Sequence, residues 1–439
     1  MRRGKAKYTL LTENGLEEGE LPGGWCLLPS PQPSPPPSRP LDELLDEALR
    51  RPIGAPPLEE MIPARGRIAL LVDDLTRPTP KREILPLLLE RLRQKGAGPE
   101  RVKVVVALGT HRPLSQEELR DALGEEVMER YPIINHDPLA QDLCPVGRLS
   151  TGTPVRVNRT VHEAALRLSI GSILPHPMAG FGGGGKGLFP GVADFDSIRD
   201  HHLFYTFQPG TSLGNLQGNP FHDEIVRMAR EGRLDFIINV LYDLRQNPVG
   251  IVAGGLEAHR HGAAVVKSAC AYGFSERADV TVISSHPHSE GPQALKALAA
   301  GSLLTREGGW IVLVGGPDTS FPGEMVEAAS SLLQRHPRDE LGRVVREKFM
   351  RGEMLLEGSI ELNVALAVAL FYFSMYKICL VTGTREESAQ AMGFLQAQTV
   401  DEALEEISRS LPEATVHVVP AGGLAIPVRE GRDGGEAQV

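Results

Sequence analysis

Cysteine is scarce. Only four occur in 439 residues, Cys26, Cys144, Cys270 and Cys379, and no two are close enough for a CxxC pair. That excludes a disulfide framework and a cysteine-rich zinc site, and it suits a reducing, cytoplasmic setting. Excess positive charge is also lacking. Lys and Arg number 46 against 56 Asp and Glu, a net charge of −10. The chain therefore has no broad basic surface for nucleic acid, and only a local basic pocket for a small anion remains. Met1 to Tyr8 is basic but leads into no apolar run, so no signal peptide is expected. Leu362 to Thr382 is the one apolar stretch near membrane-spanning length, and Asn363, Ser374 and Lys377 interrupt it. It reads as a core helix followed by a buried strand, with no membrane partner.

What is present is an α/β pattern. Hydrophobic residues make up 41%, enough for more than one core, and the length suggests two or three domains of roughly 100–200 residues each. Pro29 to Pro40 is proline-rich, a stiff connector. Lys7 to Thr12 reads as a strand joining a sheet elsewhere. Strands are expected at Arg67–Val72, Val102–Ala107, Leu166–Leu174, Leu234–Tyr242 and Pro248–Val252. Helices are expected at Lys81–Gln94 and at Ser115–Leu123, with Ser115 as N-cap. One long helix is expected over Gly254–Tyr272. A second α/β pattern follows, with strands at Val280–Ser284, Trp310–Val314, Ile378–Thr382 and Thr415–Val419. Uninterrupted apolar strands between helices predict mainly parallel sheets. The expected organisation is an N-terminal α/β domain over 1–272, a C-terminal α/β domain over 273–429 and a disordered tail over 430–439.

Ligands in such sheets sit at the carboxyl ends of strands. Polar groups gather there. The first strand runs into Asp73-Asp74-Leu75-Thr76-Arg77-Pro78-Thr79-Pro80, the second into Gly109-Thr110-His111-Arg112-Pro113. The third runs into Pro175-His176-Pro177 and a glycine cluster, Gly180 to Gly187, that contains Lys186. Val280–Ser284 runs into His286-Pro287-His288.

Each of these has a bland reading. Four successive glycines form a flexible loop, or a cradle whose repeated free N–H groups and neighbouring lysine meet a phosphate. Gly180 to Lys186 also fits GxxxxGK, but Gly187 stands where a magnesium-holding Ser or Thr would follow. A single histidine is often structural. Two at neighbouring strand ends, His111 and His176, suit proton transfer on opposite faces of one substrate. Asp74 and Arg77 either stabilise a turn or orient a histidine and clamp an anion. Gln293 and Lys296 share a helix face, solvated or ligand-binding. His201 and His202 have no metal-site spacing around them.

Together these segments resemble the nickel-pincer-nucleotide-dependent lactate racemase family of 2-hydroxy acid racemases and epimerases. The matching residues are Asp74 to Pro80, Gly109 to Pro113, His176 with Gly183-Gly184 and Lys186, Pro190-Gly191, and Gln293 with Lys296. The resemblance runs from about Arg51 to the last strand. It implies two α/β domains with an active-site cleft between them. It implies nickel held in a pyridinium-3,5-dithio-type mononucleotide, a nickel pincer nucleotide, attached covalently to Lys186. Asp74, Thr76, Arg77, Gly183 and Gly184 would bind that cofactor. His202 would complete the nickel coordination, with His201 as its rival. His111 and His176 would be the acid/base pair, and Arg77, Gln293 and Lys296 would hold the substrate.

The mechanism so implied is reversible: a histidine takes the hydroxyl proton, a hydride leaves C2, and a 2-keto acid forms and is reduced from its other face. The partners would be a small 2-hydroxy acid and the enzymes that make the cofactor; homo-oligomer formation is left open. Gly182 stands where relatives commonly carry serine, and Pro292 where a tyrosine is expected. A substrate larger or more polar than lactate fits these departures. Two other classes remain open at this point. One is a nucleotide-dependent phosphotransferase using the glycine loop. The other is a non-enzymatic protein that binds a nucleotide or hydroxy acid.

Overall fold

The computed structural model describes residues 6–34, 39–288, 291–316, 319–382 and 387–430. The chain divides into two compact units, residues 35–269 and residues 1–34 together with 270–439.

In the first unit a six-stranded sheet runs Pro248–Gly254, Phe236–Tyr242, Leu166–Ile173, Ile68–Asp73, Val102–Ala107 and Ile133–Asn135. Leu166–Ile173 and Phe236–Tyr242 are buried along their whole length, which is why they lack polar alternation. Four of the five pairings are parallel. Pro248–Gly254 departs from the expected direction and pairs antiparallel with Phe236–Tyr242. The connection is too short for a crossover. Asp243 turns it instead, its Oδ1 accepting from the N–H groups of Arg245 and Asn247, both at 2.9 Å.

Helix Lys81–Gln94 lays Ile84, Leu85, Leu88, Leu89 and Leu92 against the sheet at helical spacing. Ser115 does cap Gln116–Leu123, and its partner Glu118 completes a capping box. The expected helix over Gly254–Tyr272 is shorter, Glu257–Ala269. The flanking residues instead form strand ends. Two long helices were not anticipated: Phe195–Tyr205, capped by Asp194, and Pro220–Glu231, capped by Asn219 with Pro220 in the first turn.

The second unit has its own six-stranded sheet, all parallel. Its order is Leu395–Ala397, Lys377–Val381, Thr305–Val314, Ala278–Ser284, Ala414–Val419 and Trp25–Leu27. Residues 1–34 therefore belong with the C-terminal half, not with residues 35–269. Trp25–Leu27 adds an edge strand, and Lys7–Thr12 pairs with Gly15–Glu20 as a hairpin over that sheet. Tyr8 and Leu10 join Val280, Val282, Val312 and Val416 and helix residues Val400, Ala403, Leu404 and Ile407 in one core. Ile360–Met375 is apolar all round because neighbours cover most of it. Among the described residues, no helix is long and apolar enough to cross a membrane. The tail expected to be disordered, beyond Glu430, lies outside the described residues.

Candidate active site

Strand Ile68–Asp73 ends on two carboxylates that the fold uses differently. Asp73 meets the buried ammonium of Lys81 at 3.0 Å and accepts from Thr79 Oγ1 at 2.5 Å. Lys81 also donates to the Asp74 carbonyl. Asp73 is thus committed to holding the strand–helix junction. Asp74 is 5% exposed. Its Oδ1 accepts from the Thr76 N–H at 2.9 Å and the Thr76 hydroxyl at 2.5 Å, and its Oδ2 lies 2.5 Å from His111 Nδ1. Burial alone would raise the Asp74 carboxyl. The hydrogen bond and charge of His111, the charge of Arg77 and the Thr76 hydroxyl outweigh it and hold Asp74 well below the usual range. An ionised Asp74 can only accept, so the His111 proton sits on Nδ1 and the lone pair on Nε2. Arg77 folds back on Thr76, donating to its Oγ1 at 2.9 Å and its carbonyl at 3.0 Å.

His111 follows Val102–Ala107, and the Gly109 N–H bonds the Gly191 carbonyl at 2.8 Å, tying this loop to the turn after Lys186. His176 is 8% exposed on a two-residue strand, Pro175–His176, that pairs with Gly180–Phe181. Its Nδ1 accepts from the backbone N–H groups of Met178 at 3.3 Å and Ala179 at 3.1 Å. Its Nε2 lies 3.0 Å from Lys186 Nζ.

The glycine cluster is not a P-loop. Gly184–Gly187 forms a single 3₁₀ turn, and the next α-helix begins only at Phe195. Nor are its N–H groups all free, as the sequence suggested. Those of Gly182, Gly184 and Lys186 bond the Leu174 carbonyl, Asn239 Oδ1 and the Gly183 carbonyl. The glycines are required by space. Gly183 and Gly184 have φ of +74° and +58°. A Cβ would meet the Ser172 carbonyl at 2.9 Å from Gly183, and the His259 ring at 2.6 Å from Gly184. His259, 4% exposed, bonds the Gly182 carbonyl at 2.8 Å from the other side. Asn239 and His259 thus grip the loop; neither was singled out from sequence, because strand and helix placement alone brings them there.

Helix Phe195–Tyr205 separates the two rival histidines. His201 is fully buried, and its Nε2 donates to the Phe221 carbonyl at 3.1 Å. His202 donates from Nδ1 to the Ile198 carbonyl at 2.9 Å, so Nε2 carries the lone pair. Both rings thus have one nitrogen fixed by a carbonyl, as metal-binding imidazoles commonly do, and His201 Nδ1 is buried with no hydrogen-bond partner among the described residues. Burial pushes His202 down to about 4, and any positive charge on Lys186 or His111 would act in the same direction. His202 is therefore within electrostatic reach of both Lys186 and His111. Burial also holds His201 far down, His222 at about 3 and His259 at about 4. Among the described residues, no three His, Cys, Asp or Glu side chains form a metal-binding group. A metal here would need further ligands from a bound cofactor.

Gln293 and Lys296 lie in the second unit. They sit on a 3₁₀ turn, Gly291–Ala297, that precedes helix Leu298–Leu304, so the expected α-helix at Gln293 starts later. Three residues per 3₁₀ turn still align them. Gln293 Nε2 bonds Glu361, and its buried Oε1 has no hydrogen-bond partner among the described residues. Ser289 and Glu290 lie outside the described residues.

Residues 19–214 match the family described as "Lactate racemase N-terminal domain". That span holds every predicted site residue except Gln293 and Lys296. A lactate racemase of Lactiplantibacillus plantarum is 34% identical over 63% of this chain and 66% of its own length, just under two thirds. A lactate racemase of Thermoanaerobacterium thermosaccharolyticum is 29% identical over 87% of this chain and 89% of its own. The solved lactate racemase apoprotein from T. thermosaccharolyticum superposes with a TM-score of 0.84 at 24% identity, covering 96% of this chain and 100% of that one. A structural-genomics protein of Thermotoga maritima superposes at 0.64 with 17% identity, over 89% and 98%. The matched N-terminal domain, these relatives and the shared fold support a lactate racemase-like family for this chain.

Proposed function

We propose that the protein is an isomerase that racemises or epimerises a small 2-hydroxy acid, lactate or a larger relative. The observation that carries this reading is the Asp74–His111 pair within reach of the His202 and Lys186 groups. One base with a fixed lone pair and one lysine beside a second histidine suit proton transfer next to a tethered cofactor.

The residues suit the cofactor that the family resemblance implies. The Gly183–Gly184 turn admits no Cβ, so a nucleotide can approach the backbone closely. Lys186 would supply a primary amine for the tether, and His202 Nε2 would supply one nitrogen ligand to nickel. Asp74, Thr76 and Arg77 would hold the polar end of the nucleotide. When bound, the nickel pincer nucleotide would supply a reversible acceptor for the C2 hydride. The chain's own part is proton handling and orientation. His111 Nε2 takes the proton from the substrate hydroxyl, and Asp74 stabilises the imidazolium that results. Arg77 would release Thr76 and clamp the substrate carboxylate with two parallel hydrogen bonds. His176 would be the second acid/base group on the family resemblance alone, since in the unloaded chain its Nδ1 accepts from two backbone N–H groups. Gln293 and Lys296 are proposed to contact the substrate on the resemblance alone.

The test is peptide mapping by mass spectrometry of protein made with the cofactor-synthesis enzymes and nickel. A sulfur-containing nucleotide adduct on Lys186, absent from Lys186→Ala, is expected. Loaded protein should then interconvert the enantiomers of a 2-hydroxy acid on a chiral column. An unmodified Lys186, beside a modified family member from the same host, would overturn the tether.

A further inference from the structure

The proton positions around His176 have a consequence for Lys186. Backbone N–H groups can only donate. Two of them, Met178 and Ala179, point at His176 Nδ1. Nδ1 therefore has no proton, and the neutral ring carries its hydrogen on Nε2. Nε2–H lies 3.0 Å from Lys186 Nζ. An ammonium has three donors and no acceptor; a neutral amine has a lone pair. Only the neutral amine completes this contact.

We infer that Lys186 is held as a neutral amine by a tautomer-locked His176, and so is a nucleophile before any cofactor is present. The surroundings agree. The histidines whose charge is coupled to Lys186 are His201 and His202 on Phe195–Tyr205, His222 on Pro220–Glu231 and His259 on Glu257–Ala269. Burial keeps all four uncharged near neutrality, so these rings meet Lys186 as neutral groups. The inference concerns the unloaded chain and stands apart from the hydride chemistry proposed above. It names Met178 and Ala179 as positioning residues that act through His176.

The test is competitive acetylation of the full chain made without the cofactor-synthesis enzymes. Acetic anhydride transfers one acetyl group to an unprotonated amine and releases acetate and a proton. Its rate at each lysine therefore follows the neutral fraction. Peptide mass spectrometry across pH 6–11 reads the midpoint for Lys186 against exposed Lys95 and Lys267. Lys186 should titrate at least about one pH unit lower than both. His176→Ala should move it back towards them, and His176→Gln, which restores an N–H donor, should recover part of the shift. A Lys186 midpoint equal to those of Lys95 and Lys267 would overturn the inference. Should the variants unfold, histidine ¹⁵N spectra of the unaltered protein decide. A proton on His176 Nε2 supports the inference, and one on Nδ1 refutes it. An adduct-free Lys186 in cofactor-loading experiments would instead count against the tether, not against this assignment.

Discussion

Replacing Asp74 with asparagine should abolish most turnover while leaving the fold and the cofactor lysine in place. Asp74 Oδ1 is fixed as an acceptor by the Thr76 N–H and hydroxyl. The asparagine oxygen must take that position, which turns its NH₂ group towards His111 Nδ1. His111 must then accept on Nδ1 and carry its proton on Nε2, the wrong tautomer for a base. The loss has two parts. The charge-assisted bond, about 1.5–3 kcal/mol, no longer stabilises the imidazolium. The general base itself contributes about 10²–10⁴ in rate. The expected fall in kcat is therefore on the order of 10²–10⁴, with KM little altered. The assay is the initial rate of enantiomer interconversion, measured by chiral chromatography and divided by Lys186 adduct occupancy from mass spectrometry. Turnover within about threefold of the unaltered protein at equal occupancy, a gap of roughly 0.7 kcal/mol, would refute the Asp74–His111 assignment.

Other expectations follow from the same geometry. His202→Ala should lose bound nickel, by elemental analysis, whereas His201→Asn should retain it; the reverse result would move the metal to His201. Gly184→Ala, at φ +58° and with His259 in the way, should destabilise residues 35–269 by about 1–3 kcal/mol, read as an earlier urea midpoint. Lys81→Met should destabilise by about 3–5 kcal/mol, because it leaves Asp73 without its buried partner; an unchanged midpoint would show that water solvates Asp73. Acid should weaken the fold before carboxylates titrate. His201, His202, His222 and His259 have folded values below the unfolded 6.5, so the unfolded chain binds more protons below that pH. Stability should fall as pH drops from about 6.5 towards 4, by up to roughly 1.4 kcal/mol per pH unit for each histidine. Equal urea midpoints at pH 7 and pH 5, about the range in which unperturbed histidine titrates, would contradict the burial of this cluster.

Much of this molecule follows from local pattern. Buried parallel strands need continuous apolar runs, so Ile68–Asp73, Val102–Ala107 and Leu166–Ile173 were readable within a residue or two. The loops after them hold Asp74, His111, His176 and Lys186 because strand ends are where a doubly wound sheet is open. The Ser115 cap was equally plain, since Ser and Glu three apart form a local device. Tertiary structure decided the rest. The five residues between Tyr242 and Pro248 reversed an edge strand, and Trp25–Leu27 crossed to the far sheet. Both depend on partners distant in sequence. Capping signals at Asp194 and Asn219 were present, but the helices that follow mix apolar, aromatic and polar residues. Their place was set by packing around Phe221, His201 and His202. The choice between those two histidines also lay beyond sequence. Each ring has one nitrogen fixed by a carbonyl, His202 Nδ1 by Ile198 and His201 Nε2 by Phe221, and folding alone decides where the other nitrogen points. Sequence determined which chemical groups stand at the strand ends. Backbone N–H and C=O groups brought close by folding determined where their protons lie.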